Sequence, residues 1–149
     1  LPANYTALLP NYEDRRYYQH HGIDPVAVIR ATAARVTGAP TTTVLDATFT
    51  SGPMPLIHVH LLSTDTGDID RVDQVGVDVY AVTPTGPGVE GAAALADRLA
   101  EAWWDVSPVA GDSGFVDGVD VAQRLGVRPY FEDIEIVSMV LDVTHRPTD

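Results

Sequence analysis

A strictly alternating run near the middle of the chain constrains the fold more than any other feature of the sequence. Between Gln74 and Ala81, apolar residues occupy every second position: Val75, Val77, Val79 and Ala81. Successive side chains of a β-strand point to opposite faces of its sheet, so this period of two predicts a long strand with one apolar face. Such a strand needs neighbouring strands and a layer of structure packed on that face.

Four other runs of the chain also have the composition of strands. The two upstream runs are joined to each other and to the alternating run by short connections, which predicts an antiparallel meander of three strands. The acidic segment Asp65–Asp70 is predicted to form the loop before the alternating run. The four runs are Leu45–Phe49, Leu56–Leu62, Phe115–Leu125 and Ile134–Thr144.

Helical signals lie on both sides of the three upstream strands. Asp24 and Pro25 are typical of the N-cap and first residue of a helix, and Gly38 is typical of its end. The alanine-rich stretch Val89–Trp104 has apolar residues at helical spacing, and a short helix is also predicted from about Asn11 to His20. The predicted fold class is α+β: one domain over residues 1–149, with a mainly antiparallel or mixed β-sheet, N-terminal helices and one long alanine-rich helix packed on the sheet.

Composition and charge restrict the classes of function. The 149 residues include no cysteine, which excludes disulfides, thiolate metal sites and a cysteine nucleophile. The formal net charge is −12, so the surface repels phosphate backbones and anionic membranes. The chain also has no apolar run of the ~18 residues that a membrane span requires. We therefore expect neither non-specific nucleic-acid binding nor membrane association.

The stretch from Glu13 to Pro25, EDRRYYQHHGIDP, resembles the first motif of the peptidoglycan glycosyltransferases. That resemblance implies that Glu13 is a general base. In that family the motif is followed by a stretch with a glutamine pair, whereas the corresponding region here, Pro40–Asp46, has none. A base without its partner groups performs no reaction. An enzyme that uses Glu13 is therefore the alternative, and the prediction is that the chain is not an enzyme and has no catalytic residue.

Three further patterns suggest chemistry without completing a site. Gly111–Gly114 resembles the nucleophile motif of chymotrypsin-like proteases, with His58, Asp78 and Ser113 in the chain order of a triad, but Phe115 follows where that family has glycine. His58 and His60 share one face of a strand, yet no third zinc ligand follows at a persuasive spacing. The cluster beginning at Asp65 lacks the glycine and glutamate of an EF-hand. The sequence predicts no metal and no cofactor.

The organisation of the whole chain resembles the tail terminator, or tail completion, proteins of siphophages, especially phages of actinobacterial hosts. The resemblance covers about residues 8–146. It is carried by four stretches and by the alanine-rich helix between the last two: Leu8–Asp14 (LLPNYED), Pro55–Leu62 (PLIHVHLL), Asp68–Pro84 (DIDRVDQVGVDVYAVTP) and Asp142–Arg146 (DVTHR).

The resemblance implies a virion structural protein that assembles as a homohexameric ring. The ring would cap the tail tube, end tube polymerisation and join the tail to the head connector. The protein would be located in the virion tail at the head–tail junction, and in the host cytoplasm during assembly. Its partners would be other copies of itself, the tail-tube protein and the head–tail connector protein. Another head–tail connector role, or that of the tube protein, is the alternative within this class.

Two features of the residues are compatible with a ring. The last predicted strand is apolar on both faces, so a neighbouring subunit is expected to cover one of them. DNA must pass through such a ring without being bound specifically, so its lumen is expected to be neutral or acidic. The predicted lumen-facing acidic loop consists of Asp65, Asp68, Asp70 and Asp73.

Overall fold

The alternating run forms the third strand of a six-stranded mixed sheet. A computed structural model of the protein describes residues 24–64, 71–103, 109–110 and 114–147. Two helices, α1 (Pro25–Thr37) and α2 (Ala92–Trp103), accompany the sheet. The strands are β1 (Thr41–Thr42), β2 (Leu56–Ser63), β3 (Arg71–Val82), β4 (Val109–Ala110), β5 (Gly114–Phe131) and β6 (Ile134–Pro147).

The spatial order of the strands is β1-β2-β3-β6-β5-β4. All neighbouring strands are antiparallel except β1, which runs parallel to β2. The predicted α+β class is confirmed, with strands β2, β3, β5 and β6 where the sequence indicated them. Strand β5 continues beyond the predicted Leu125 to Phe131. Neither described helix is long and apolar enough to cross a membrane.

The prediction of a strand over Leu45–Phe49, and with it the three-stranded meander, is wrong. The Oδ1 atom of Asp46 accepts hydrogen bonds from the backbone N–H of Thr48 at 2.9 Å and from its hydroxyl at 3.0 Å. This local turn offers the backbone an alternative to a sheet ladder. A short 3-10 helix over Phe49–Ser51 follows the turn; Leu45 and Phe49 pack against the sheet from this segment, whereas Ala47 is exposed.

Helix α1 has the ends that the sequence predicts. The carboxylate of Asp24 accepts hydrogen bonds from the backbone N–H groups of Val26 at 3.0 Å and Ala27 at 3.4 Å, and Pro25 is the first helical residue. Gly38 ends the helix in the left-handed conformation, with φ +70°, which glycine adopts at little cost. The helix predicted over Asn11–His20 lies outside the described residues.

Both helices pack on one face of the sheet and form the main core with it. The core residues of α2 include Leu95, Leu99 and Trp103, all 3% exposed or less. The alternating apolar side chains of β3 point to this face, together with those of β6: Val137, Met139, Leu141 and Val143. Cover for this face of the sheet therefore comes from the chain itself.

The N-terminus of α2 is capped by a residue from a distant strand. The Oε2 atom of Glu135, on β6, accepts a hydrogen bond of 2.8 Å from the backbone N–H of Ala92. Glu135 is only 9% exposed. A Cβ atom on Gly91 would lie 2.5 Å from the same carboxylate oxygen, so the close approach depends on glycine at that position. The helix begins at Ala92, later than the predicted Val89.

We expect Glu135→Ala to lower the free energy of unfolding by about 1–2 kcal/mol, because the backbone N–H of Ala92 at the start of α2 loses its capping acceptor. Glu135→Gln keeps an oxygen acceptor at the same position and should cost less. Urea unfolding of the three proteins measures both differences. Equal stability of wild type and Glu135→Ala would contradict this role for the carboxylate.

The opposite face of the sheet has a small second core at one end. Tyr80, Ile134 and Ile136 are buried there beneath Leu45, Phe49 and Met54 from the segment between β1 and β2. The ring of Tyr80 lies 4.9 Å from that of Phe49 and 5.0 Å from that of Tyr130. Burial, reinforced by the negative charge of Asp78, raises the pKa of Tyr80 to about 12. The chain therefore covers part of the second apolar face of β6 itself.

Candidate functional site

Strand β5 forms a long hairpin with β6 near one side of the sheet, and the outer edge of β5 is largely unpaired. Strand β4 pairs with β5 only at Phe115 and Val116. From Asp117 onward β5 is bonded to β6 on one side, and no other described strand pairs with its outer side. Large apolar side chains along this part of β5 are about half exposed: Leu125, Val127, Tyr130 and Phe131. We call Asp117–Phe131 the β5 edge.

The β5 edge is held in place by contacts with the rest of the domain. The guanidinium of Arg124 donates a hydrogen bond of 2.7 Å to the carboxylate of Asp97 on α2. The guanidinium of Arg128 donates one of 3.0 Å to the hydroxyl of Ser138 on β6. The ring of Tyr130 packs against Tyr80 at a centroid distance of 5.0 Å. These contacts fix the exposed strand within the domain, although its ladder with β6 has several shifts of register.

A cluster of two histidines and one aspartate lies on the face of the sheet opposite the helices. The antiparallel register of β2 and β3 places His58 directly opposite Asp78, and His60 opposite Gly76. The Oδ2 atom of Asp78 lies 3.2 Å from Nε2 of His60 and 3.5 Å from Nδ1 of His58. The two imidazoles stack with their centroids 4.4 Å apart and their planes inclined by 22°. All three ligand atoms lie within 4.8 Å of one another.

Neighbouring groups orient each member of this His–Asp cluster. Nε2 of His58 lies 3.2 Å from the backbone carbonyl of Thr43, which accepts a hydrogen bond when that nitrogen carries a hydrogen. The Nδ1 atom of His58 is buried, and no described residue forms a hydrogen bond with it. The hydroxyl of Ser138 donates a hydrogen bond of 2.7 Å to Oδ1 of Asp78. The cluster thus has a supporting layer of hydrogen bonds.

The ionised form of Asp78 is favoured in this setting. Partial burial by itself tends to raise the pKa of the carboxyl group. The contacts with His58, Ser138 and His60 together outweigh burial, so the pKa of Asp78 lies below its ordinary value. A carboxylate and two imidazoles that converge on one point are oxygen and nitrogen ligands of the type that zinc and related metals prefer.

The sequence alone recognises only part of this cluster. The strand pattern places His58 and His60 on one face, but the third group, Asp78, lies in the next strand, and its position opposite His58 depends on the register. The protease-like pattern likewise contains His58 and Asp78, which the fold does bring together, whereas its Ser113 lies outside the described residues. Glu13 lies outside them as well, so its lack of a catalytic role stays a prediction and the enzyme that uses it stays the alternative.

The predicted acidic loop is wrong for one of its four residues. Asp73 lies within β3 and is completely buried on the helix-facing side of the sheet, opposite Val143 of β6. Its Oδ2 atom lies 2.9 Å from Nε2 of His145, which is 2% exposed. A buried position inside the sheet cannot line a lumen, since the carboxylate is bonded inside the domain. Asp65, Asp68 and Asp70 lie outside the described residues, and their role stays a prediction.

Comparison with known proteins adds no relative to these observations. No protein-family model matches the chain, and no curated protein matches it.

Proposed function

We propose that this chain is a structural subunit that assembles with copies of itself into a ring, and that the ring is the terminator of a siphophage tail. In this role the ring caps the tail tube, ends its polymerisation and joins it to the head connector. Its partners are the tail-tube protein and the connector protein, DNA passes through it without specific binding, and its location is the virion tail after assembly in the host cytoplasm. The proposal assigns the chain no catalytic role.

The observation that carries the assembly proposal is the β5 edge. Unpaired N–H and C=O groups on a long strand form a template for pairing with another chain, and natural proteins usually protect such edges with charges, proline or short strands. Here the edge extends from Asp117 to Phe131 and has four half-exposed apolar side chains, although Arg124, Arg128 and Pro129 interrupt it. Covering this edge with a second strand would satisfy its backbone groups and bury those side chains.

The opposite side of the sheet offers a matching surface on a second copy. Strand β1 pairs with β2 only at Ile57 and His58, so among the described strands the outer side of β2 is open from Val59 to Ser63. Leu62 on that stretch is about half exposed. The β5 edge and the outer side of β2 are different surfaces, so pairing the first on one copy with the second on another is a head-to-tail contact. Such contacts close into a ring when the rotation between successive copies is suitable. The resemblance described above supplies the phage tail as the setting.

We expect Val127→Asp to prevent ring assembly while leaving the subunit folded. Val127 lies on the β5 edge and is 50% exposed, so a charge there costs little in the free subunit but must lose its water when a neighbouring strand pairs. Native mass spectrometry in the presence of tail-tube protein measures assembly, and thermal unfolding measures folding. Val89→Asp is the matched control, because Val89 is 53% exposed and lies in a loop outside that strand.

Equal assembly of both variants would contradict the role of the β5 edge. The phage setting has its own test: electron microscopy of virions in which this chain is labelled should show it at the head–tail junction. Tails that assemble to normal length without the chain would argue against termination. Localisation along the tube or in the connector would instead favour the alternative tail-assembly roles. Glycan synthesis from a lipid-linked precursor, abolished by Glu13→Gln, would favour the enzyme alternative.

A further inference from the structure

We propose that His58, His60 and Asp78 form a binding site for a divalent transition metal, with Zn²⁺ as the best-fitting ion. This inference rests on the open face of β2 and β3 and does not depend on the proposed ring. The site offers two imidazole nitrogens and one carboxylate oxygen, a ligand set that zinc commonly binds, and leaves a fourth position for water or another ligand.

Two of the three distances between the ligand atoms match tetrahedral coordination, and all three atoms lie within 4.8 Å of one another. Zinc bonds to nitrogen and oxygen are about 2.0–2.1 Å long, so two ligand atoms of a tetrahedral site lie about 3.4 Å apart. Oδ2 of Asp78 lies 3.2 Å from Nε2 of His60 and 3.5 Å from Nδ1 of His58. A small movement of the two histidine rings would let one ion contact all three residues.

The surrounding hydrogen bonds have the arrangement found around metal sites. Histidine ligands usually donate their second ring N–H to a carbonyl or carboxylate, which sets the tautomer and aims the other nitrogen at the metal. Nε2 of His58 has such a partner in the carbonyl of Thr43, and its buried Nδ1 lacks one. The hydroxyl of Ser138 in turn holds the second oxygen of Asp78. Binding an ion would satisfy this buried nitrogen of His58, which has no hydrogen-bond partner in the part of the chain that the structure describes.

Gly76 makes room for His60. A Cβ atom at this position would lie 2.5 Å from Cε1 and 2.7 Å from Nε2 of the His60 ring. Glycine weakens a central strand, because it has no side chain to pack and loses more backbone entropy on folding. The absence of a side chain at Gly76 is therefore explained by the position of the imidazole above it. The variant Gly76→Ala should therefore displace the His60 ring while leaving His60 in the chain.

Zinc binding to the full chain can be measured by competition with a chromophoric chelator. His20 and His21 also bind metal in principle, so the measurements use a His20→Ala/His21→Ala background. We expect one equivalent of Zn²⁺ to bind, with at least a tenfold loss of affinity in His60→Ala. We expect about a 10- to 100-fold loss in Ser138→Ala, because the carboxylate is no longer held. Asp120→Asn, an exposed carboxylate on β5, is the control and should bind as the background does.

Gly76→Ala separates a metal site from a simple histidine–aspartate contact. We expect this variant to keep or raise its melting temperature without metal, to lose at least tenfold in zinc affinity, and to lose the rise in melting temperature that zinc causes in the background protein. Visible absorption of the Co²⁺-substituted protein should be of the tetrahedral type and should be absent in His60→Ala. Failure of the background protein to bind zinc, or unchanged zinc affinity in His60→Ala or Gly76→Ala, would overturn the proposal.

Discussion

Trp103→Ala is expected to cost about 3–5 kcal/mol of the free energy of unfolding, which is the range for removing a large buried aromatic side chain. Trp103 is the largest fully buried side chain of the described residues, at 1% exposed, and it lies at the end of α2 in the main core. Domains of this size are stable by only about 5–15 kcal/mol, so the loss would be a large fraction of the total. Urea unfolding followed by circular dichroism measures it, and the melting temperature should fall by about 10 °C.

Trp103→Phe distinguishes packing from hydrogen bonding at this position. The indole N–H of Trp103 is buried without a hydrogen-bond partner among the described residues. Trp103→Phe therefore removes part of the aromatic ring system but no hydrogen bond. We expect its loss of unfolding free energy to be less than half of that in Trp103→Ala. If Trp103→Phe were as unstable as Trp103→Ala, the indole N–H would contribute to stability in addition to the packing of the ring.

Asp73→Ala is expected to cost about 1–3 kcal/mol, because it removes a hydrogen bond to His145 between two polar groups that are buried in the core. The carboxylate of Asp73 is fully buried, and His145 is 2% exposed at a separation of 2.9 Å. The two residues join β3 to β6 inside the core. Chemical denaturation of the purified variant measures the loss of stability. Wherever the variant remains folded, its assembly with other copies should be unchanged.

Two control variants test whether the pair is the cause. Asp73→Asn keeps an oxygen acceptor of nearly the same size and should be less destabilising than Asp73→Ala. The double variant Asp73→Leu/His145→Leu should lose less stability than the sum of the two single variants, because neither polar group is left buried alone. Strictly additive losses, or an Asp73→Ala cost below about 1 kcal/mol, would contradict the importance of the pair.

This placement of Asp73 also changes how the acidic segment should be tested. Replacing all four aspartates of the predicted loop together would confuse charge in a lumen with damage to the core. Substitution of Asp65, Asp68 and Asp70 alone leaves the buried pair intact. If these three residues line the ring, their replacement by asparagine should slow DNA ejection or increase DNA retention while assembly continues, because repulsion of the phosphate backbone is lost. Normal DNA transit would contradict the lumen prediction.

The elements that were predicted well depend on interactions within a few residues. Helix α1 is determined by the Asp24 carboxylate two residues from the N–H that it caps, and by Gly38 at its end. The alternation in β3 and the helical spacing in α2 report which face of each element is apolar, and both packed as expected. The error at Leu45–Phe49 also has a local cause, because an Asp46 hydrogen bond competed with the strand pattern.

What the sequence determined by itself is therefore the two described helices, the four longer strands β2, β3, β5 and β6, and their apolar faces, because caps and periodicity are properties of neighbouring residues. The tertiary structure alone decided which polar groups meet. Asp73 and His145 are 72 residues apart in the chain, and His60 and Asp78 are 18 apart. Their contacts depend on the order and register of strands, and a shift of one residue would send each side chain to the other face of the sheet.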